Sequence, residues 1–108
     1  MYNLNQENQP EILHITKGEL LEYKGYVHIS VGYWLEYKIS NEQVLQLKNS
    51  ATAYHNPENM RKGMTGGDAS TKTFHFEAVA AGETELQMLK NFRGEIESQQ
   101  TWKIIIKD

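Results

Sequence analysis

Residues 63–92 read GMTGGDASTKTFHFEAVAAGETELQMLKNF, and this stretch decides the fold class. Phe74, Phe76 and Ala78 alternate with mostly polar residues, which is the period of a β-strand that buries one face. After an Ala-Gly turn, a second strand-like run follows at Thr84–Leu89. A glycine-rich loop precedes the first run, and the second run ends at Lys90-Asn91-Phe92. We therefore predict a β-hairpin whose flanking loops bind a partner.

Similar runs on both sides of this stretch predict further strands. They are Glu11–Thr16, Tyr26–Val31, Tyr33–Ile39, Val44–Leu47 and Thr101–Lys107, whereas Glu19–Tyr23 fits a helix or a strand equally well. Residues 54–63 contain turn residues without an apolar period and are predicted to form a loop. About seven short strands with turns between them predict an all-β protein, an immunoglobulin-like antiparallel β-sandwich of about seven to eight strands.

The alternation also predicts which side chains form the core. One contiguous core between two sheets is expected from Phe74, Phe76, Leu86, Met88, Trp102, Ile104 and Ile106. In the Tyr33–Ile39 run, the same period places Trp34 on the polar face together with Glu36 and Lys38.

The length of 108 residues is enough for one domain with a single core. We expect residues 1–10 to form a polar N-terminal tail and residues 11–108 to form the domain. The absence of cysteine excludes disulfides and thiol chemistry. We expect a monomer, exported to the periplasm or secreted if a leader peptide has been removed, and otherwise cytoplasmic.

Charge and hydropathy exclude several partners. The formal net charge of -3 argues against nucleic acid or an anionic membrane as the main partner. No apolar run approaches the ~20 residues that span a bilayer, so membrane insertion is not expected.

The sequence does not resemble an enzyme. Its four histidines lack the paired spacing of a metal site, so we expect no metal. The run Gly63–Asp68 is rich in glycine but lacks the Lys-Ser/Thr end of a phosphate loop, and no helix is predicted after it. The serines have no nucleophile-elbow context. We expect neither catalysis nor a cofactor.

Three short motifs follow one another in a fixed order along the chain. His28–Gly32 precedes Tyr33-Trp34, Met64–Gly67 precedes the strand of Phe74, and Lys90-Asn91-Phe92 ends the next strand. Their order and spacing over residues 17–108 resemble the chagasin family, the immunoglobulin-like inhibitors of papain-type cysteine proteases. Family members carry Asn-Pro-Thr-Thr-Gly, Gly-x-Gly-Gly and Arg-Pro-Trp at the corresponding places, so the spacing is kept while the motifs have diverged.

The resemblance implies a function and a partner. The protein would occlude the active-site cleft of a papain-family cysteine protease with three adjacent loops, without any cofactor. The implied protease-binding residues are Ser30, Val31, Gly32, Thr65, Gly66, Gly67, Lys90 and Phe92. The paired glycines would allow close backbone approach to the partner, and Phe92 would be an exposed apolar anchor.

Two alternatives remain at this level. The chain is also consistent with an immunoglobulin-like adhesion or scaffold module that kept the fold without inhibitory activity. A carbohydrate-binding sandwich that stacks sugars on Tyr26, Tyr33 and Tyr54 is a weaker alternative. The resemblance implies a buried Trp34, against the alternation described above, and a β-bulge after Gly32 would reconcile the two.

Overall fold

The structure, a computed structural model, describes residues 1–5, 12–28, 31–54 and 69–108. These residues form two four-stranded sheets, with strand orders β1-β3-β6-β5 and β2-β8-β7-β4. The strands are β1 (Tyr2–Asn3), β2 (Ile12–Thr16), β3 (Leu20–Val27), β4 (Tyr33–Ile39), β5 (Leu45–Tyr54), β6 (Ser70–Ala78), β7 (Gly82–Phe92) and β8 (Glu95–Lys107). The predicted all-β, immunoglobulin-like sandwich is confirmed.

The predicted hairpin is wrong. β6 pairs with β3 and β5, whereas β7 pairs with β4 and β8, so the two strands belong to different sheets. The short connection between them crosses from one sheet to the other and is held by Val44, whose carbonyl accepts the N–H of Val79 at 2.8 Å. Period-two alternation shows that each strand has one buried face, but it does not identify the neighbour to which the strand is hydrogen-bonded.

The predicted core is confirmed. The inward faces of β6, β7 and β8 meet in one cluster between the sheets, in which each predicted side chain is at most 5% exposed. The rings of Phe74 and Phe76 stack with centroids 6.2 Å apart, and Tyr37 meets both edge-on. Strand β6 of one sheet therefore packs against strand β4 of the other sheet across the core.

The chain between residues 19 and 33 differs from the prediction. β3 runs from Leu20 to Val27 without a break at Gly25, so Tyr23 and Tyr26, predicted to lie in separate elements, belong to one strand. A Cβ at Gly25 would lie 2.4 Å from Cδ1 of Leu35 in the facing sheet. The glycine therefore makes room for Leu35, which is the usual meaning of a glycine inside a strand.

The first residues also differ from the expected polar tail. Tyr2 and Asn3 run parallel to β3, and Leu4 is buried in the core at 2% exposure. The Leu4 N–H donates to the carbonyl of Glu22 at 2.8 Å. One buried leucine among polar neighbours carries no periodic signal, which is why the sequence pattern missed this strand.

Trp34 lies on the outer face of β4 and is 37% exposed. The pairing of β4 with β7 is uninterrupted from Tyr33↔Phe92 to Ile39↔Leu86, without a bulge. The alternation was therefore right, and the burial of Trp34 implied by the family resemblance is wrong.

Candidate functional site

Several strands finish or begin at one end of the sandwich, which we call the apical end. There β4 begins at Tyr33, opposite Phe92, the last residue of β7. In the other sheet, Ser70 at the start of β6 pairs with Val27 at the end of β3 and with Tyr54 at the end of β5. The connections between these strands therefore depart from a common level.

The connection between β3 and β4 carries two of the predicted binding residues, Val31 and Gly32. It is closed by a bridge in which His28 and Tyr33 exchange N–H···O bonds of 2.9 and 3.1 Å. The Val31 N–H also donates to the His28 carbonyl at 3.1 Å, and the Val31 side chain is 39% exposed. Ser30 lies outside the described residues.

β7 and β8 are joined by the two-residue turn Arg93-Gly94. Their φ angles are 52° and 85°, as in the type I′ turn that suits the twist of a β-hairpin. Glycine or asparagine adopts this left-handed conformation readily, whereas it costs arginine about 1–2 kcal/mol. A strained, exposed arginine thus occupies the tip of the hairpin.

The two apical connections are docked on each other through Gly32. Its carbonyl accepts the N–H of Arg93 at 2.8 Å. A Cβ at Gly32 would lie 2.9 Å from Cγ of Arg93, and the φ of Gly32 is 95°. Glycine is required at this position both by its backbone conformation and by the close approach of the arginine stem.

An aromatic column supports the hairpin. Phe92 stacks on Tyr33 with a centroid separation of 4.4 Å, and the Arg93 guanidinium lies 5.1 Å from the Phe92 centroid. Tyr26 meets Tyr33 edge-on, and its hydroxyl lies 2.8 Å from Nδ1 of His28. Phe92 is half-buried in this column, so its description as an exposed anchor is corrected.

Lys90 is not part of a loop. Lys90, Asn91 and Phe92 are the last three residues of β7, paired with Leu35, Trp34 and Tyr33, and the turn begins only at Arg93. Lys90 is exposed and borders a shallow depression with Tyr23, Ser98 and Gln100. The predicted third loop, Lys90–Gly94, therefore reduces to the turn Arg93-Gly94.

The second predicted loop, with Thr65, Gly66 and Gly67, lies outside the described residues. Its nearest described neighbours, Tyr54 and Ala69, belong to the chain that leaves β5 and enters β6. The structure therefore brings together Val31, Gly32 and Phe92, and places Lys90 further down β7.

Exposed large apolar side chains accumulate near the apical end. Near the apical end, the structure describes five such side chains, which are Tyr26, Val31, Trp34, Tyr54 and Ile96. The two that it describes elsewhere are Met1 and Ile12. Exposed apolar side chains gathered at one end of the sandwich in this way are available for contact with a partner. Sequence analysis did not single out Ile96 or Arg93 as site residues, because the segment after Gly94 is polar and has no apolar alternation that would reveal a hairpin.

Asn91 is a second feature that the sequence did not reveal. Its side chain is 6% exposed on the face of β7 that carries the neighbouring Trp34 and Ile96. Within the described ranges, its Nδ2 has no hydrogen-bond partner.

The ranges that the structure describes contain no group of three side chains able to hold a metal ion, and no helix that could span a membrane.

No family model matches this sequence, and no curated protein does. Among solved structures, the chain is similar to the cysteine protease inhibitor EhICP2 from Entamoeba histolytica, with a TM-score of 0.75 at 15% identity over 98% of this chain and 95% of that one. It is also similar to amebosin, with a TM-score of 0.56 at 14% identity over 97% and 92% of the two chains. At these identities the likeness establishes the fold.

The class of protein defined in this way is an immunoglobulin-like sandwich of the type found in EhICP2. This fold agrees with the resemblance to the chagasin family that the motif spacing suggested.

Proposed function

We propose that this protein inhibits papain-type cysteine proteases by inserting its apical end into the active-site cleft. Support comes from its likeness in fold to EhICP2, a cysteine protease inhibitor, over nearly the whole of both chains. An inhibitor of this kind needs no catalytic residue and no cofactor, in keeping with the absence of any enzyme motif from the sequence.

The observation that carries the proposal is the organisation of the apical end. Exposed apolar side chains concentrate there, and the β3–β4 connection is bonded to the β7–β8 turn through Gly32 and Arg93. Loops that are already held in one arrangement lose little entropy when they bind. Such a surface suits insertion into a preformed cleft.

The same organisation gives a physical reason why the inhibitor would escape cleavage. A papain-type enzyme cuts an extended peptide that lies along its cleft. Here the N–H groups of Val31 and Tyr33 both donate to the carbonyl of His28, which draws Val31 toward the end of β3. The protease would therefore meet a connection whose two ends, at His28 and Tyr33, are bonded to each other.

The residues would have different roles in binding the protease. Val31, with Ser30 and Gly32, would form the first contact, and Thr65, Gly66 and Gly67 would supply backbone that approaches the enzyme closely. Phe92 would support the Arg93 turn from below, because it is half-buried against Tyr33. Lys90 would meet the enzyme only at the flank of the interface.

The comparisons do not favour the alternative, an adhesion or scaffold module without inhibitory activity. The carbohydrate-binding alternative depended on exposed faces of Tyr26, Tyr33 and Tyr54. Tyr26 and Tyr54 are exposed, whereas Tyr33 is partly covered by Phe92 and by the edge-on ring of Tyr26.

A titration of papain and of a cathepsin L-type enzyme tests the proposal. We expect reversible, stoichiometric inhibition, with the intact mass of the inhibitor unchanged after hours of incubation with the enzyme. Full protease activity in the presence of a large excess of the folded protein would overturn the proposal, and so would rapid proteolysis of the chain between residues 28 and 33.

A further inference from the structure

Arg93 is held from three sides. Its N–H donates to the Gly32 carbonyl at 2.8 Å, and a Cβ on Gly32 would lie 2.9 Å from its Cγ. Its guanidinium lies over the ring of Phe92 at 5.1 Å, and that ring stacks in turn on Tyr33. Contacts to its backbone, its aliphatic stem and its guanidinium therefore hold this long side chain in one orientation at the tip of the hairpin.

Among the residues that the structure describes, no acidic side chain forms an ion pair with Arg93. The ion pairs among the described residues lie elsewhere and involve Lys24, Lys48, His75 and Lys103. Glu95 and Glu97 belong to the same hairpin and are exposed, but neither forms an ion pair with Arg93. A positioned cation that has no counter-ion within the described ranges is available to a partner.

The backbone conformation of the turn also indicates a role for Arg93 in binding. Arg93 adopts a φ of 52°, which asparagine or glycine would adopt with less strain. Strain of this kind persists where the surrounding structure enforces it, and it is common at sites of recognition. The stability of the hairpin alone would be better served by Asn-Gly.

We propose that Arg93 determines target specificity by pairing with a carboxylate on the rim of the protease cleft. This inference rests on the proposed inhibitory function and adds the chemistry of the partner, an acidic side chain. The planar guanidinium can bind a carboxylate through two parallel hydrogen bonds, which a lysine cannot do. Because the cation is already oriented by Phe92 and Gly32, little entropy is lost on pairing.

The test is the variant Arg93→Asn, which removes the charge and fits the turn. We expect inhibition of the most tightly bound papain-like enzyme to weaken about tenfold, while the melting temperature stays level or rises. Arg93→Lys should lie between the two proteins. Inhibition by the unaltered protein should weaken with added salt, and Arg93→Asn should reduce that salt dependence.

Lys38→Asn is the matched control, because Lys38 is an exposed cation on β4, away from the apical end. It should leave both inhibition and its salt dependence unchanged. An Arg93→Asn protein that inhibits as well as the unaltered protein at every salt concentration would overturn this inference and leave the proposed function standing. No inhibition by the unaltered protein would overturn both.

Discussion

His75 lies between two hydrogen-bond acceptors on the outer face of the sheet that contains β3, β5 and β6. Its Nδ1 is 2.7 Å from Oδ1 of Asn49, and its Nε2 is 3.0 Å from Oε2 of Glu22. The hydrogen bond to His75 lowers the pKa of Glu22 below its usual 4.5, against an opposing effect of burial and with help from the charge of Lys24. The arrangement adds side-chain hydrogen bonds to the backbone pairing of three neighbouring strands.

The lowered pKa of Glu22 predicts a loss of stability in acid. A carboxyl group whose pKa is lower in the folded state stabilises the fold above the unfolded-state pKa, and this contribution disappears as the pH falls through the folded-state pKa. Glu22→Gln should therefore be less stable than the parent protein at neutral pH, and the difference should shrink below about pH 4.5.

Urea unfolding at a series of pH values measures this difference. Glu85→Gln provides the control, since Glu85 is exposed and forms no ion pair among the described residues. A constant difference between parent and Glu22→Gln from pH 7 to pH 3 would contradict the lowered pKa of Glu22 in the folded state.

Phe92 gives a second prediction for a single side chain. Phe92→Ala removes a ring that stacks on Tyr33 at 4.4 Å and carries the guanidinium of Arg93. We expect the free energy of unfolding to fall by about 1–2 kcal/mol, because an aromatic pair and half-buried surface are lost together. Inhibition should weaken as well, because Arg93 loses its support.

Chemical denaturation and inhibition assays on the same preparation measure both effects. Tyr54→Ala is the comparison, because Tyr54 is an exposed aromatic residue at the end of β5 and should change stability by less than about 0.5 kcal/mol. Equal stability of Phe92→Ala and the parent would mean that the column does not hold the turn.

The docking of the two apical connections is tested at Gly32. Gly32→Ala places a Cβ at a φ of 95° and 2.9 Å from Cγ of Arg93. We expect the protein to lose about 1–2 kcal/mol of stability and part of its inhibition, because the connections must separate.

Gly18→Ala separates the backbone effect from the contact. Gly18 has a φ of 94°, and nothing lies within 4 Å of the Cβ that would be added. It should therefore show only the backbone cost and inhibit normally. If the two variants behave alike in both assays, the contact between Gly32 and Arg93 has no role of its own.

The behaviour of individual strands shows where sequence patterns stop being informative. Alternation in Tyr33–Ile39 and in β6 correctly assigned inward and outward faces, including the exposed Trp34. It failed to assign β6 and β7 to different sheets, because pairing is decided by long-range contacts that leave no local period. β8 begins at Glu95 because Glu95–Gln100 pairs with β7, although this polar segment has no apolar alternation.

At the candidate site, the family resemblance predicted other features of the structure than the alternation did. The motif spacing correctly indicated the fold and led to the apical residues Val31, Gly32 and Phe92. It placed the third loop at Lys90, whereas the turn lies at Arg93-Gly94. The pairing of Lys90 with Leu35 and of Phe92 with Tyr33 extends β7, and this contact between distant segments has no signature within the motif.

The sandwich as a whole depends on the core that joins its two sheets. Phe76 is completely buried and stacks on Phe74, with Tyr37 of the other sheet meeting its edge at 5.4 Å. Phe76→Ala should therefore cost about 3–5 kcal/mol, as is usual for a large side chain removed from a packed core.

Equilibrium unfolding in urea measures this loss. Ile96→Ala is the matched apolar truncation at a surface position, since Ile96 is 56% exposed, and it should change stability by less than about 0.5 kcal/mol. Comparable effects of the two truncations would contradict the assignment of the core.

The central claim is that the apical end of the sandwich blocks a papain-type protease. The inhibition constant of a matched pair of variants, Val31→Asp and Ile12→Asp, tests it most directly. Both replace an exposed apolar side chain, 39% and 45% exposed, by the same carboxylate, but only Val31 lies at the apical end. We expect Val31→Asp to weaken inhibition of papain by about tenfold or more, because a charge would be buried in the interface, and Ile12→Asp to inhibit like the parent. Equal inhibition by the two variants, or a larger loss for Ile12→Asp, would contradict the account.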